Sequence, residues 1–312
     1  MPTPMSTDAR ITRFARLVTS GRVGQVDGPV RVGVDLGTAN IVMSVVDEAG
    51  NPVAGGWQHS TVVRDGIVVD WQGAVRAVAS LRDDLSGRLD RPLEAASVAV
   101  PPGISPGTVK VFTNVLEAAG LAITEVVDEP VAAARALGVV DGAVIDIGHG
   151  TTGVSIIRGG AVALSEDEAT GGHHMTLVIA GSMDITHDEA ERLKRNPKQR
   201  DLAFGLIRPT LEKMATITRG VLDGHDVPQV HLVGGSSSHP RAVEVFEDVL
   251  GRPVLRPSDP LFVTPLGIPL PAVTPAEPAP PSKSTRANKP TRASKSTATA
   301  KPPRTTSRRR KA

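Results

Sequence analysis

The chain of 312 residues contains no cysteine and few aromatic residues (five Phe, two Trp, no Tyr), which excludes disulfide and thiolate chemistry and argues against a base-stacking nucleic-acid platform. No apolar run approaches the roughly 20 residues of a membrane span and no signal peptide is evident, so we expect no membrane partner and an intracellular setting. The net charge of +2 conceals an asymmetry: residues 271–312 hold 11 Lys or Arg and one acid, whereas residues 1–270 hold 24 basic and 32 acidic residues, a net charge of −8.

Residues 1–29 are predicted to form a leader with one short amphipathic helix at residues 10–19. The apolar side of this helix consists of Ile11, Phe14, Leu17 and Val18. Arginines occupy the other side. Two interpretations remain open: the helix packs on the body, or it is a docking peptide for a partner. Residues 21–29 are predicted to be a linker, which in the second case would let the helix reach away from the body.

The body begins near residue 30 with an apolar run that contains one carboxylate. Residues 31–46 read RVGVDLGTANIVMSVV, which predicts two strands joined by a tight turn. Glycine lets the turn backbone approach an anion, and polar side chains add hydrogen-bond donors. Gly37, Thr38 and Asn40 are therefore candidate phosphate ligands. Asp35 is a candidate Mg²⁺ ligand, because an unpaired carboxylate in an apolar strand costs several kcal/mol.

Residues 30–141 are predicted to form a first lobe around this hairpin. We expect further strands at residues 53–63, 67–70, 95–100 and 123–127, and helices at residues 73–89, 105–119 and 131–137. The last of these helices is rich in alanine and follows the sequence Asp128-Glu129-Pro130. It is expected to cross from the first lobe to a second.

The second lobe is predicted at residues 142–270 and opens with a copy of the first hairpin. Residues 142–157 read GAVIDIGHGTTGVSII, with the same order of apolar run, Asp, glycine turn and apolar run. The candidate phosphate ligands of this turn are Gly148, His149, Gly150 and Thr151. Asp146 is placed to hold Mg²⁺ or its waters. Two such hairpins indicate a duplicated half, with two loops that grip one nucleotide from opposite sides.

The remainder of the second lobe contains a third glycine motif. Residues 230–238 read VHLVGGSSS, an apolar strand that opens into a loop suited to lie over an adenosine, and its candidate ligands are Gly234, Gly235 and Ser236. Other strands are expected at residues 161–165 and 254–255, and helices from residue 175 and at residues 186–195, 202–222 and 240–250. His173 and His174 suggest a metal pair only weakly, because adjacent loop residues seldom ligate one ion without further ligands.

Residues 271–312 consist mainly of Pro, Ala, Ser, Thr, Lys and Arg, and are predicted to be a disordered basic tail. Eleven cations on such a tail would attract polyanions, such as nucleic acid or an acidic protein surface, and the attraction would weaken with salt. Solubility alone is the competing explanation.

These motifs resemble the superfamily of actin, sugar kinases, Hsp70 nucleotide-binding domains and bacterial actin-like proteins. The resemblance implies an α/β fold of two ribonuclease H-like lobes around a nucleotide cleft, with ATP and Mg²⁺ as cofactors. The sequence DEPVAAA at residues 128–134 resembles a connecting helix whose Glu, here Glu129, helps to position the attacking water. An alternative is that Glu129 only favours the helix dipole. Glu191 and Lys194 match positions that contact the adenosine.

A narrower resemblance covers about residues 30–268 and points to the EutJ family of ethanolamine-utilisation proteins. It is carried by VRDGIVVD (63–70), SEDEATGGHH (165–174), EAERLKR (189–195) and LFVTPL (261–266). His149 departs from the superfamily pattern, since a glycine is usual at that position. The short segment between Gly172 and the long helix implies a small outer subdomain.

The resemblance implies an ATP-driven, chaperone-like protein that hydrolyses ATP slowly. It would act on, or help to assemble, the enzymes or shell of a bacterial microcompartment in the cytoplasm. The alternatives are a non-enzymatic nucleotide-binding scaffold and, less favoured because of the small outer subdomain, a filament-forming actin. A sugar kinase is least favoured, because the lobes are short for a sugar pocket.

Overall fold

The structure is a computed structural model that describes residues 5–64 and 66–273. Within these ranges the strands are β1 (Val30–Leu36), β2 (Asn40–Asp47), β3 (Pro52–His59), β4 (Val63–Arg64), β5 (Ile67–Val68), β6 (Ala95–Val100), β7 (Ala122–Asp128), β8 (Gly142–Ile147), β9 (Thr152–Arg158), β10 (Ala161–Glu168) and β11 (Val230–Val233). The helices are α1 (Thr7–Ser20), α2 (Trp71–Leu89), α3 (Pro106–Ala118), α4 (Glu129–Leu137), α5 (Gly172–Met183), α6 (His187–Arg195), α7 (Arg200–Leu222), α8 (Ala242–Leu250) and α9 (Val263–Gly267).

Two sheets with the same plan organise these elements. The first has the strand order β3-β2-β1-β6-β7, in which β1, β2 and β3 are antiparallel and β6 and β7 run parallel to β1. The second has the order β10-β9-β8-β11, in which β8, β9 and β10 are antiparallel and β11 runs parallel to β8. The predicted duplication of an Asp-containing hairpin is therefore confirmed at the level of topology. The exact limits of the two lobes stay a prediction.

Helices pack on each sheet, and each sheet has its own apolar core. Side chains of α2 and α3 pack on the first sheet, and side chains of α5 to α8 pack on the second. A third cluster joins α1, α4 and α9 with strands of both sheets. The backbones of α4 and α9 are in direct contact, because a Cβ at Gly267 would collide with the carbonyl of Ala132. The predicted crossing helix, α4, thus contacts strands of both sheets and packs against α9.

Helix α1 lies on the body. Ile11, Phe14 and Val18 are buried, and Leu17 is half-buried. A Cβ at Gly55 would lie 2.5 Å from the Phe14 ring, so the glycine in β3 lets the helix approach the strand closely. Of the two interpretations, packing on the body is the one that the structure supports, since the apolar side of the helix is already covered.

Residues 21–29 do not form the free linker that was predicted. The N–H of Gly24 donates a hydrogen bond to the carbonyl of Val53 at 2.6 Å, and the Arg91 guanidinium donates to the carbonyl of Gly28, also at 2.6 Å. At the other end of α1, the Asp8 carboxylate accepts hydrogen bonds from the backbone and hydroxyl of Ser258, each at 3.0 Å. The leader is therefore fastened to the body at several points.

Two other predictions differ from the structure in detail. The strand expected at residues 161–165 continues to Glu168, because β10 keeps pairing with β9 through a run of acidic residues that gives no strand signal. The strand expected at residues 254–255 is reduced to one bridge between His231 and Leu255. The predicted disordered tail lies outside the described residues, apart from residues 271–273. No helix in the described part of the chain is long and apolar enough to cross a membrane.

Candidate functional site

A cavity of about 560 Å³ opens between the two hairpin loops. This volume lies in the range of small-molecule and cofactor sites, roughly 300–1,000 Å³. All fifteen candidate site residues from the sequence line it: Asp35, Gly37, Thr38, Asn40, Glu129, Asp146, Gly148, His149, Gly150, Thr151, Glu191, Lys194, Gly234, Gly235 and Ser236. The structure thus brings the three glycine motifs and the start of α4 to one place.

Asp35 and Asp146 occupy equivalent positions, each one residue before the end of its strand. Burial raises the pKa of Asp35 from 3.8 to about 7, with the charge of Asp146 as the second cause. Burial also raises the pKa of Asp146 to about 6, although a hydrogen bond from Thr264 opposes this shift. The Thr264 hydroxyl donates to Oδ2 of Asp146 at 3.3 Å. The two carboxylates therefore lie in one poorly solvated site and repel each other.

Glu129 is the first residue of α4 and faces the same cavity. Burial raises its pKa well above the ordinary value of 4.5, followed by the charges of Asp35, Asp146, Asp167 and Asp128. A carboxyl group whose pKa is raised in this way is suited to accept a proton near neutral pH. The helix-dipole interpretation would not by itself place Glu129 beside two other buried carboxylates.

The sequence reasoning missed a fourth carboxylate. Asp167, in β10, lines the cavity, and its charge contributes to the raised pKa values of Glu129 and Asp146. No Lys or Arg in the described part of the chain forms an ion pair with Asp35, Glu129, Asp146 or Asp167. In the described residues these carboxylates are not arranged to ligate one metal ion directly, although carboxylate oxygens can accept hydrogen bonds from the waters that a hard cation such as Mg²⁺ retains.

The two hairpin loops provide backbone donors. Within residues 5–64 and 66–273, the N–H groups of Thr38, Ala39, His149 and Gly150 have no hydrogen-bond acceptor, and all four residues line the cavity. The turn at Gly37 leaves no room for a side chain, since a Cβ there would lie 2.8 Å from the carbonyl of Asn40. Paired loops with unsatisfied N–H groups suit a chain of phosphates, which accepts hydrogen bonds from such donors.

The second loop is anchored to the third glycine motif. The carbonyl of Gly148 accepts hydrogen bonds from the Ser236 hydroxyl at 2.8 Å and from the N–H of Gly172 at 3.0 Å. Gly234 adopts a φ of +88° and lies against Asp146, where any side chain would collide with the carboxylate. The candidate adenosine loop is therefore packed directly on the candidate phosphate loop, and the Ser236 hydroxyl is already engaged.

Glu191 and Lys194 reach the cavity from α6 and are paired with each other at 2.7 Å. The Lys194 ammonium also donates to the Thr176 hydroxyl at 2.6 Å and to the carbonyl of Gly172 at 2.8 Å. Burial raises the pKa of Glu191, but hydrogen bonds from Lys194 and Thr176 outweigh it and hold that pKa at about 2. In the structure these residues join α5 to α6. Their contact with an adenosine stays a prediction.

Histidines surround the second loop. The rings of His149 and His173 have centroids 5.6 Å apart, and Nδ1 of His173 lies 3.2 Å from Nε2 of His187. Nδ1 of His174 instead accepts a hydrogen bond from the N–H of Gly171 at 3.2 Å. In the described residues, no group of three or more His, Cys, Asp or Glu side chains could hold a metal ion directly. Burial lowers the pKa of His149, so the imidazole is mostly neutral near neutral pH.

The raised pKa values predict a pH-dependent effect of one substitution. Asp35→Asn is expected to stabilise the protein without ligands at pH 8 relative to the wild type, and the gain should vanish toward pH 4. The folded wild type holds a proton that the unfolded chain releases between pH 3.8 and about 7, so its stability falls as pH rises through that window. The slope is at most about 1.4 kcal/mol per pH unit. Urea unfolding in EDTA across this pH range measures it, and a gain independent of pH would contradict the expectation.

Sequence comparisons place these motifs among known proteins. The profile of the family Cell division protein FtsA matches residues 143–271, and the profile of Hsp70 protein matches residues 74–180. The ethanolamine utilization protein EutJ of Escherichia coli strain K12 is 41% identical over 245 residues, which are 78% of this chain and 86% of the relative. EutJ of Salmonella typhimurium is 41% identical over 243 residues, 78% of this chain and 85% of the relative.

Solved structures agree with the sequence comparisons. The crystal structure of EutJ from Carboxydothermus hydrogenoformans has a TM-score of 0.81 and 42% identity, and the match covers 85% of this chain and 97% of that one. A PilM–PilN type IV pilus biogenesis complex has a TM-score of 0.63 at 16% identity, over 78% of this chain and 99% of that one. MreB5 of Spiroplasma citri bound to AMPPNP has a TM-score of 0.60 at 18% identity, over 78% of this chain and 95% of that one. The last two likenesses concern the fold alone, and the predicted two-lobed actin-like fold is confirmed.

Proposed function

The chain belongs to the EutJ family of ethanolamine utilization proteins, and we propose that it binds Mg-ATP between its lobes, hydrolyses it slowly and acts as a chaperone-like factor in ethanolamine utilisation. One observation carries most of this proposal. Two loops with unsatisfied N–H groups and four carboxylates line a single cavity. Donors for phosphate and acceptors for a cation are thus available together, as a magnesium nucleotide requires.

Each motif has a separate task in this site. The N–H groups and hydroxyls of the Gly37-Thr38 turn and of the Gly148–Thr151 turn hold the phosphates from opposite sides. Asp35 and Asp146 hold the magnesium ion or its waters, and the ion supplies charge neutralisation at the phosphates when bound. Gly234, Gly235 and Ser236, with Glu191 and Lys194, border the position of the adenosine.

Glu129 is the residue that we assign to hydrolysis. Its carboxylate accepts a hydrogen bond from the attacking water, directly or through a second water, and takes up a proton as the water attacks. Burial and, after it, the neighbouring carboxylates raise the pKa of Glu129 well above 4.5, which favours proton uptake. Helix α4 contacts α9 and elements of both sheets, so a change at Glu129 can be transmitted to the rest of the body. Such coupling is what an ATP-driven change in lobe closure needs.

The client is proposed to be an enzyme or shell protein of a microcompartment in the cytoplasm, because the curated relatives are ethanolamine utilization proteins. The client would bind the body or the termini. Contact of the basic tail with a polyanion stays a prediction, since residues 274–312 lie outside the described part.

A scaffold that binds nucleotide without turnover is the second candidate. His149 favours it, because its imidazole lines the cavity at the second loop, where a side chain can restrict access of water to the terminal phosphate. This candidate shares the binding site with the first and differs only in the fate of the nucleotide.

Titration calorimetry with ATP in MgCl₂ tests the proposal. Binding with a stoichiometry near one is expected, with little or no binding in EDTA, because the phosphates and the four carboxylates repel each other without the cation. Absence of binding in both conditions would contradict the central claim. A pull-down from cells that express the neighbouring operon, performed with and without ATP, then identifies the client, which is expected to differ in yield between the two conditions.

A further inference from the structure

Asp167 is a cavity-lining carboxylate that was assigned no role from the sequence, although the family segment SEDEATGGHH contains it. It lies in β10 opposite Gly153 of β9, and the neighbouring pair is Ser165 and Ser155. These four residues all line the cavity, whereas Glu166 and Glu168 do not. Because side chains alternate between the two faces of a strand, the pairing directs Asp167 toward the nucleotide site and its acidic neighbours away from it.

Gly153 makes room for this carboxylate. A Cβ at position 153 would lie 2.7 Å from Oδ1 of Asp167, which is closer than real Cβ contacts allow. Gly153 does not have the positive φ that would require glycine for conformational reasons. Glycine is therefore needed at position 153 for steric reasons, because the Asp167 carboxylate from the next strand occupies the space that a side chain would take.

The Asp167 side chain has no hydrogen bond or ion pair with any described residue, although it is held beside Gly153 in a paired strand. Its charge contributes to the raised pKa values of Glu129 and Asp146. A purely structural role in β10 does not explain why the Asp167 carboxylate lies near Glu129 and Asp146. Placing a third and fourth negative charge at one site is unfavourable unless protons or a cation neutralise them, and only a cation does so when the carboxylates are ionised.

We propose that Asp167 is a positioning residue of the magnesium site, a further carboxylate that acts with Asp35 and Asp146 by accepting hydrogen bonds from the waters that Mg²⁺ retains. Mg²⁺ keeps several waters in most nucleotide sites, and carboxylates around it orient those waters. The inference rests on the proposed function, because it concerns the ion that accompanies the nucleotide.

The test compares Asp167→Asn with Glu166→Gln. Both changes remove one negative charge from β10 without changing the size of the side chain, but only the first faces the cavity. The readout is the Mg²⁺ concentration that gives half of the maximal thermal stabilisation at a fixed concentration of AMPPNP. For Asp167→Asn this concentration should rise about 10-fold, the lower end of losses seen for residues around metal ligands. Glu166→Gln should match the wild type.

A second readout needs no nucleotide. In EDTA, Asp167→Asn is expected to melt at a higher temperature than the wild type, because a repulsive charge is gone, whereas Mg²⁺ should stabilise the variant less than it stabilises the wild type. A purely structural role for Asp167 would lower the melting temperature in both conditions. An unchanged Mg²⁺ requirement in the presence of AMPPNP would overturn the proposal.

Failure of the proposed function is distinguishable from failure of this inference. If AMPPNP stabilises neither the wild type nor Asp167→Asn at any Mg²⁺ concentration, the nucleotide assignment is wrong. Asp167 is then judged by the melting-temperature shift with MgCl₂ or MnCl₂ alone. A smaller shift in Asp167→Asn than in Glu166→Gln would support its place in a cation site, and equal shifts would overturn it.

Discussion

Asp146→Ala is expected to abolish stabilisation of the protein by Mg-ATP, with a loss of nucleotide affinity of about 100-fold or more. Asp146 is the penultimate residue of the strand that leads into the second phosphate loop, and its carboxylate lies against Gly234 of the third glycine motif. Its removal deletes one of the two cation ligands assigned from the sequence and leaves the phosphates with less neutralised charge.

The fold of Asp146→Ala should survive. A buried carboxylate whose pKa is raised to about 6 is an electrostatic cost to the folded protein at neutral pH, so its loss removes repulsion while it forfeits one hydrogen bond from Thr264. Calorimetry and thermal melting measure the two effects. Asp248→Ala, on the exposed side of α8, serves as the control and should bind Mg-ATP like the wild type. Normal affinity in Asp146→Ala would remove the aspartate from the site.

Glu129→Gln is expected to bind Mg-ATP with unchanged affinity and to hydrolyse it about 10²- to 10⁴-fold more slowly, which is the usual contribution of a general base. Glutamine keeps the size of the side chain and one acceptor oxygen, but it cannot take up a proton. The substitution also removes one of the mutually repelling charges, so the affinity should not fall.

Phosphate release under single-turnover conditions measures the hydrolysis, and calorimetry measures the affinity. Glu117→Gln, an exposed position on α3, is the matched control and should hydrolyse ATP at the wild-type rate. Equal rates for Glu129→Gln and the wild type would remove Glu129 from the mechanism and favour the scaffold. Slower hydrolysis with equally weakened binding would indicate that Glu129 helps to hold the ion instead.

Much of the site was accessible from the sequence because its signals are local. In each hairpin, an aspartate interrupts an apolar strand shortly before a glycine turn, and both the cost of burying a carboxylate and the needs of the turn act over a few residues. The strands around Asp35 and Asp146 and their turns were predicted in this way, and the structure places both on one cavity. The repeated pattern also predicted the duplicated plan of the two sheets.

Other features depended on pairing between distant segments. The run of acids at the end of β10 gives no strand signal, and the alternation that turns Asp167 inward exists only because β10 continues to pair with β9. Thr264 reaches Asp146 across 118 positions of the chain. Nothing near either residue in the sequence indicates these contacts.

By itself, the sequence determined the two Asp-glycine hairpins, the third glycine loop, the alanine-rich helix predicted at residues 131–137 and hence many of the residues that line the cavity. Only the tertiary structure decided that α1 packs on the body, that Lys194 pairs with Glu191 and that a fourth carboxylate faces the cavity. The physical reason is the range of the interactions. Turn geometry and the burial of a charge within a strand are settled by neighbouring residues, whereas the covering of an apolar helix face and the sum of charges in a cavity depend on elements that meet only when the chain is folded.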